Sequence, residues 1–387
     1  RIGNRILPWP SVCFRRGTIA MEITDIETVP YGIPVRKFVD SYTEFDRSKA
    51  VLVKIHTDTG HLGIGEACAL EPEFYGETLE SITSKIQNYI APAIIGADPR
   101  NIGRIMMLVD QELARVTCVK EGIDLALHDL VGKILDVPAY QLLGGRFRDE
   151  VRVAAEIGCD TPEEMAENAL DLLERGISVI KLKGSNNPDL DIDRIRAVRN
   201  AVGEDIPLRL DPNAAWNTMT TIRVMRAVEE CHLQYIEQPI PTGDFKGLAH
   251  IRSNIESPVM ADESIWTRED AVKLYEYEAA DLLNLKIAKT CGLHRGKQIE
   301  AVAEAIGMPC VAGTELEPGI SSVAKIHFAA SMKNHPLASE FTELSQLDGT
   351  ILSEPLQVKD GTLEVPDGPG FGVEIDDDRV HEYAIDV

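Results

Sequence analysis

The chain has 387 residues, 44% of them hydrophobic, and carries 39 Lys and Arg against 63 Asp and Glu, a formal net charge of −24. With a mean hydropathy of −0.10, this fits a soluble globular chain of two or three ordinary domains, or one large barrel with an accessory domain. So acidic a chain is repelled by nucleic acid and anionic membranes, which argues against both as main partners, and no apolar run of about eighteen residues offers a membrane span.

Residues 1–20, "RIGNRILPWPSVCFRRGTIA", lack the apolar core and small-residue cleavage site of a signal peptide. They are expected to be a leader, disordered or not native, with Met21 as the natural start. Residues 21–150 read as an α+β capping domain. "EITDIETVPYGIP" and "AVLVKIHTDTGHLGIGEA" predict antiparallel strands with a tight turn at Asp58–Gly60. "VKEGIDLALHDLVGKILDVP" predicts a helix ending before Pro138.

From Val151 onward an apolar strand alternates with an amphipathic helix. The predicted strands are Val151–Gly158, Val179–Gly184, Leu208–Asn213, Tyr235–Pro239, Val259–Ser264, Leu282–Lys289, Cys310–Thr314 and Ala338–Thr342. In "TPEEMAENALDLLERG", Thr161 caps the helix and Gly176 stops it. Near-continuous apolar strands alternating with helices imply a parallel sheet covered on both faces. Eight of them predict a (β/α) barrel over 151–345, with an open doubly wound sheet as the runner-up. The tail 346–387, with "LQVKDGTLEVPDGPGFGVEID", is expected to return to the cap. Seven scattered cysteines (13, 68, 118, 159, 231, 291 and 310), with no C-x-x-C, predict free thiols in a reducing cytoplasm.

Charge concentrates where these strands end, and in a parallel barrel chemistry gathers there. Lys181 and Lys183 share a face of the second strand, a costly pairing without an anion opposite. Asp211 and Asn213 end the third, Glu237 the fourth, Asp262 and Glu263 the fifth, and Lys286 and Lys289 the sixth. The seventh leads into Glu315 and Glu317. Asp211, Glu237 and Asp262 from three successive strands form an oxygen set for one hard divalent ion, Mg²⁺ by default and Mn²⁺ as the close alternative. The lysines would flank a substrate carboxylate. Lys289 and Glu315 taken singly read as residues without a functional role.

In order, Lys-x-Lys, Asp-x-Asn, Glu-Gln-Pro, Ala-Asp-Glu-Ser and Leu-Lys-Ile-Ala-Lys resemble the enolase superfamily, and within it the muconate-lactonizing subgroup. "GIGEA", "IDLALHDLVGK", "LLGG" and "PGFGV" extend the resemblance from Met21 nearly to the C-terminus. The resemblance implies a (β/α)₇β barrel with a cap from both termini, and a homo-oligomer. It also implies Asp211, Glu237 and Asp262 as magnesium ligands, Lys183 and Lys286 as acid/base groups on opposite faces of the substrate, and Lys181 supporting Lys183. Asn213 and Glu263 would back the ligands, and Glu317 would stand beside the substrate. Lys286 occupies the place where the mandelate-racemase subgroup carries a His/Asp dyad. Superfamily members use a Lys or His base with Mg²⁺, whose charge stabilises the enediolate formed by α-proton abstraction. Lys181 and the cation are expected to lower the pKa of Lys183.

The implied reaction is first a muconate-type cycloisomerisation, with racemisation or epimerisation of a small carboxylic acid, or syn elimination, as alternatives. A non-catalytic barrel binding a small acid is the reading from another class, which the full set of three carboxylates and two lysines opposes. "SEFTEL" carries Glu340 and Glu343 but not the Asp-x-Asp of dipeptide epimerases. Substrate choice is expected in "DSYTEFDRS" and near "EPEFYGE", where Tyr42, Phe45, Phe74 and Tyr75 either close over the substrate or line the domain interface. No G-x-G-x-x-G follows a strand and no G-x-S-x-G occurs, which disfavours a dinucleotide oxidoreductase and a serine hydrolase.

Overall fold

A computed structural model describes residues 21–41, 43–69 and 72–387, so the leader, Cys13 and Tyr42 lie outside the described residues. β1 (Ile23–Val39), β2 (Glu44–Thr57) and β3 (Leu62–Cys68) form an antiparallel sheet in the order β1-β2-β3. Gly60, at φ +80°, makes the turn between β2 and β3, and its N–H donates to Thr57 O. The helix Thr117–Leu135 lies against β3. A Cβ on Gly63 would stand 2.3 Å from Ala126 O, and one on Gly65 2.2 Å from Gly122 O. The glycines of "GIGEA" thus permit contact of strand and helix backbones.

Eight parallel strands follow: β4 (Glu150–Ile157), β5 (Ile180–Lys183), β6 (Leu208–Asp211), β7 (Tyr235–Glu237), β8 (Val259–Ala261), β9 (Leu282–Leu285), β10 (Cys310–Ala312) and β11 (Ser339–Glu340). They pair in the order β10-β9-β8-β7-β6-β5-β4-β11, a nearly closed barrel whose two ends are β10 and β11. The open doubly wound alternative is excluded by this circular order. Thr161 Oγ1 accepts from Glu164 N to start the helix Pro162–Glu174, and Gly176 follows its end at φ +82°.

Every barrel strand except β4 is two to four residues shorter than its apolar run suggests. β9 ends at Leu285, because Lys286 O accepts from Thr290 N and Ile287 O from Gly292 N, turning Lys286–Lys289 out of the sheet. β11 keeps only Ser339 and Glu340 of Ala338–Thr342.

In the tail, β12 (Thr362–Glu364) pairs antiparallel with β4, while Ala384 bridges to Tyr31 and Leu347 to Val35. Cap carboxylates also cap barrel helices. Glu66 accepts from Ile320 N at 2.9 Å and Ser321 N at 3.2 Å, at the start of the helix Ile320–Ser331. Asp124 accepts from Leu293 N at 2.6 Å and His294 N at 3.2 Å, at the start of the helix Leu293–Ala305. Each anion meets the partial positive charge of a helix N-terminus and satisfies N–H groups that otherwise lack partners. Cys68, Cys118, Cys159, Cys231, Cys291 and Cys310 are in no disulfide, and among the described residues no helix is long and apolar enough to cross a membrane.

Candidate active site

Parallel pairing places the ends of β5 to β8 side by side, with Lys183 opposite Asp211 in the ladder. The anion required by the two lysines is a set of four carboxylates. Lys181 Nζ lies 2.6 Å from Glu156, 3.0 Å from Glu340, 3.1 Å from Glu237 and 3.3 Å from Asp211. Lys183 Nζ lies 2.8 Å from Asp211 and 3.4 Å from Glu156. Glu156 and Glu340 were missing from the expected set. Glu156 is the last residue but one of β4, where the strand-end rule applied to the others would have found it. Glu340 holds Lys181 and accepts from Tyr235 OH, while Glu343 pairs with Lys325, so neither glutamate of "SEFTEL" lines the lysine pocket.

That pocket contains Lys183, Lys286, Glu156, Asn213 and Glu315, with Phe38, Asp40, Phe45 and Leu316 along it. Lys183 and Lys286, from opposite parts of the barrel, therefore face one small space. Lys286 Nζ sits 2.9 Å from Asp262 and 3.0 Å from Glu315.

Three expectations need correction here. Glu317 does not line the pocket but binds Thr314 and Lys325, and Glu315 takes the place beside Lys286. Leu316 between them has φ +54°, so the two glutamates do not follow strand alternation. Glu315 is also held by Tyr75 OH at 2.6 Å. Lys289 is fully buried; its Nζ is paired with the Asp262 carboxylate and donates to Asp262 O and Asn284 O, so it is a fixed counter-charge rather than a residue without a role. Lastly, burial, Lys181 and Lys286 all push the Lys183 pKa down, as expected of like charges, yet Asp211 and Glu156 outweigh them and hold it above the ordinary lysine value.

The three of the four expected aromatics that are described separate as well. Phe45 lines the pocket, Tyr75 anchors Glu315, and Phe74 lies tilted against Trp266 with ring centroids 5.1 Å apart.

Asp211, Glu237 and Asp262 are each fully buried. Burial first, then Glu340, Asp211 and Asp262, raise the Glu237 pKa well above the carboxylate range despite Lys181. Burial, then Asp262 and Asp211, do the same to Glu263. Glu263 Oε2 and Asn213 Oδ1 are buried without hydrogen-bond partners among the described residues. Such an all-oxygen, mutually repelling set suits a hard divalent cation. As the side chains stand, Lys181, Lys183, Lys286 and Lys289 supply the positive charge, and among the described residues no three His, Cys, Asp or Glu are arranged to grip an ion.

Residues 23–144 match the mandelate racemase/muconate lactonizing enzyme N-terminal domain, and residues 164–379 the enolase C-terminal domain-like family. The L-Ala-D/L-Glu epimerase of Clostridium acetobutylicum is 35% identical, over 92% of this chain and 99% of its own. The crystal structure of muconate lactonizing enzyme from Pseudomonas fluorescens, complexed with muconolactone, has a TM-score of 0.91 at 32% identity, over 95% of this chain and 100% of that one. That of a dipeptide epimerase from Cytophaga hutchinsonii, complexed with Mg and the dipeptide D-Ala-L-Val, has a TM-score of 0.89 at 29% identity, over 93% and 98%. With its barrel, its cap and both family domains matched, the chain belongs to the mandelate racemase/muconate lactonizing enzyme family and is an isomerase of the enolase superfamily.

Proposed function

We propose that the chain catalyses a Mg²⁺-dependent 1,1-proton transfer, a racemisation or epimerisation, at the carbon α to the carboxylate of a monocarboxylic acid. The observation that carries this reading is that Lys183 and Lys286 line the same small pocket from opposite parts of the barrel. One lysine takes the α-proton and the C–H electron pair moves into the carboxylate. The other lysine, as its ammonium, returns a proton to the opposite face. Asp211, Glu237 and Asp262 would hold the cation, whose charge stabilises the doubly negative enediolate when it is bound. Mg²⁺ is supported by the oxygen-only donor set and by the Mg named with the Cytophaga epimerase; Mn²⁺ is chemically close. Lys181, held by four carboxylates, is fixed beneath Lys183 and keeps positive charge near the substrate oxygens.

The other charged groups around the pocket are Asp40, Glu156 and Glu315. A second substrate carboxylate would meet these acids, which favours a monoanion over a dianionic muconate. Cycloisomerisation is the second reading, favoured by the likeness to muconate lactonizing enzyme and opposed by this acidic lining. The test is ¹H NMR in D₂O with Mg²⁺ on N-acyl amino acids, dipeptides and cis,cis-muconate. Deuterium is expected at Cα of at least one monocarboxylic acid, with loss of configuration. Lactonisation of muconate, with no exchange in any monocarboxylate, would refute the reading.

A further inference from the structure

A second cavity, of about 760 Å³, lies at the seam between cap and barrel. It shares no lining residue with the lysine pocket. Its lining runs against the charge of the chain. Five cations (Arg115, Lys120, Arg268, Lys289 and Arg295) stand against two anions, Asp110 and Glu269, in a protein of net charge −24. Lys289 is neutralised by Asp262, but Lys120 and Arg295 share the single carboxylate of Asp110. The Lys120 side chain is 5% exposed, and Asp110 Oδ1, at 3.0 Å, is its one charged partner among the described residues. An ammonium so placed has further N–H donors to offer to what the cavity holds. Trp266 and Phe74, their rings inclined at 35° to each other, form an apolar aromatic side of the cavity, and the Trp266 indole is fixed by its hydrogen bond to Glu263 O.

We propose that this seam cavity is a second binding site, for a small planar carboxylate whose anion meets Lys120, Arg268 and Arg295 and whose ring or double bond lies on Trp266 and Phe74. Several cations, Lys120 among them buried, beside a fixed aromatic side chain select a flat organic anion over inorganic ions and over neutral analogues. Two of its side chains reach groups that pair with Lys286: Lys289, through Asp262, and Tyr75. Tyr75 lines the cavity, and its hydroxyl holds Glu315, which pairs with Lys286. Occupancy of the cavity therefore fixes the ring that positions the Glu315–Lys286 pair. This inference does not depend on the reaction proposed above.

Isothermal titration calorimetry of the full chain in Mg²⁺ buffer tests it, with benzoate as probe, benzamide as its neutral isostere and inorganic phosphate as its non-planar counterpart. Benzoate is expected to bind one per chain, with benzamide and phosphate at least ten-fold weaker. Lys120→Gln and Arg268→Gln should each weaken benzoate at least ten-fold, while Lys183→Ala leaves it unchanged. Arg268 is exposed, so its variant reports even if Lys120→Gln misfolds. Three results would overturn the proposal: no benzoate binding up to 20-fold molar excess at millimolar protein, loss of binding in Lys183→Ala, which would place the probe in the lysine pocket, or unchanged binding in Arg268→Gln.

Discussion

Glu66 sits where the cap meets the barrel, and its environment sets a pH dependence of stability. It is fully buried, accepts from Ile320 N and Ser321 N, and is joined by Tyr31 OH. Burial, with a smaller push from Glu317, outweighs these hydrogen bonds and raises its pKa from 4.5 to about 7. A carboxyl that keeps its proton more tightly folded than unfolded stabilises fully below pH 4.5. Between 4.5 and 7 the unfolded chain releases the proton first, so the contribution falls as pH rises and is gone above 7. The difference between 4.5 and about 7 corresponds to roughly 3 kcal/mol. Glu66→Gln keeps an acceptor for Tyr31 and Ile320 but turns an amide N–H₂ toward Ser321 N–H. That costs about 1–3 kcal/mol with little dependence on pH. Urea unfolding of both proteins from pH 4.5 to 8 should therefore give a stability difference that favours the native chain most at pH 4.5 and moves by roughly 3 kcal/mol toward the variant by pH 8, where it vanishes or reverses. Glu121, raised by burial and partly by Glu66 itself, is present in both chains, so its own titration largely cancels. A difference that stays flat across this range, or widens with pH, would refute the reasoning.

Asp211→Asn, Glu237→Gln and Asp262→Asn should each abolish activity and weaken Mg²⁺ binding by calorimetry while the circular dichroism spectrum is kept; unchanged affinity in all three would remove the metal site. Chelation with EDTA should stop α-proton exchange and added Mg²⁺ restore it. On a confirmed substrate, Lys183→Ala should stop exchange of one enantiomer and Lys286→Ala that of the other, each by about 10²–10⁴-fold, read by NMR in D₂O; near-normal exchange in both variants would sink the two-lysine mechanism. Gly65→Ala would set a Cβ 2.2 Å from Gly122 O, and the strain of separating β3 from the helix Thr117–Leu135 should cost about 1–3 kcal/mol, seen as a lower melting temperature.

The residues at the strand ends were legible in the chain itself. A charge closing a short apolar run has one common placement in a parallel barrel, and five successive runs close in this way. Lys181 and Lys183 on one face of β5, Asp211 at the end of β6 and Glu237 at the end of β7 follow from strand periodicity alone. Beyond the last paired residue that periodicity stops governing direction. Leu316 at φ +54° turns Glu315 toward Lys286 and leaves Glu317 with Lys325, and the turn after Leu285 carries Lys289 under Asp262. Neither reversal has a local signal, because each depends on what the loop packs against. The same holds for the charge balance. Sequence places Lys183 beside Lys181, which lowers its pKa, but only the closed barrel brings Glu156 and Asp211 close enough to raise it again. The identity of the charged residues was set by the order of amino acids. Their pairing, and with it which lysines face the pocket, was decided by strands far apart in the chain closing around one space.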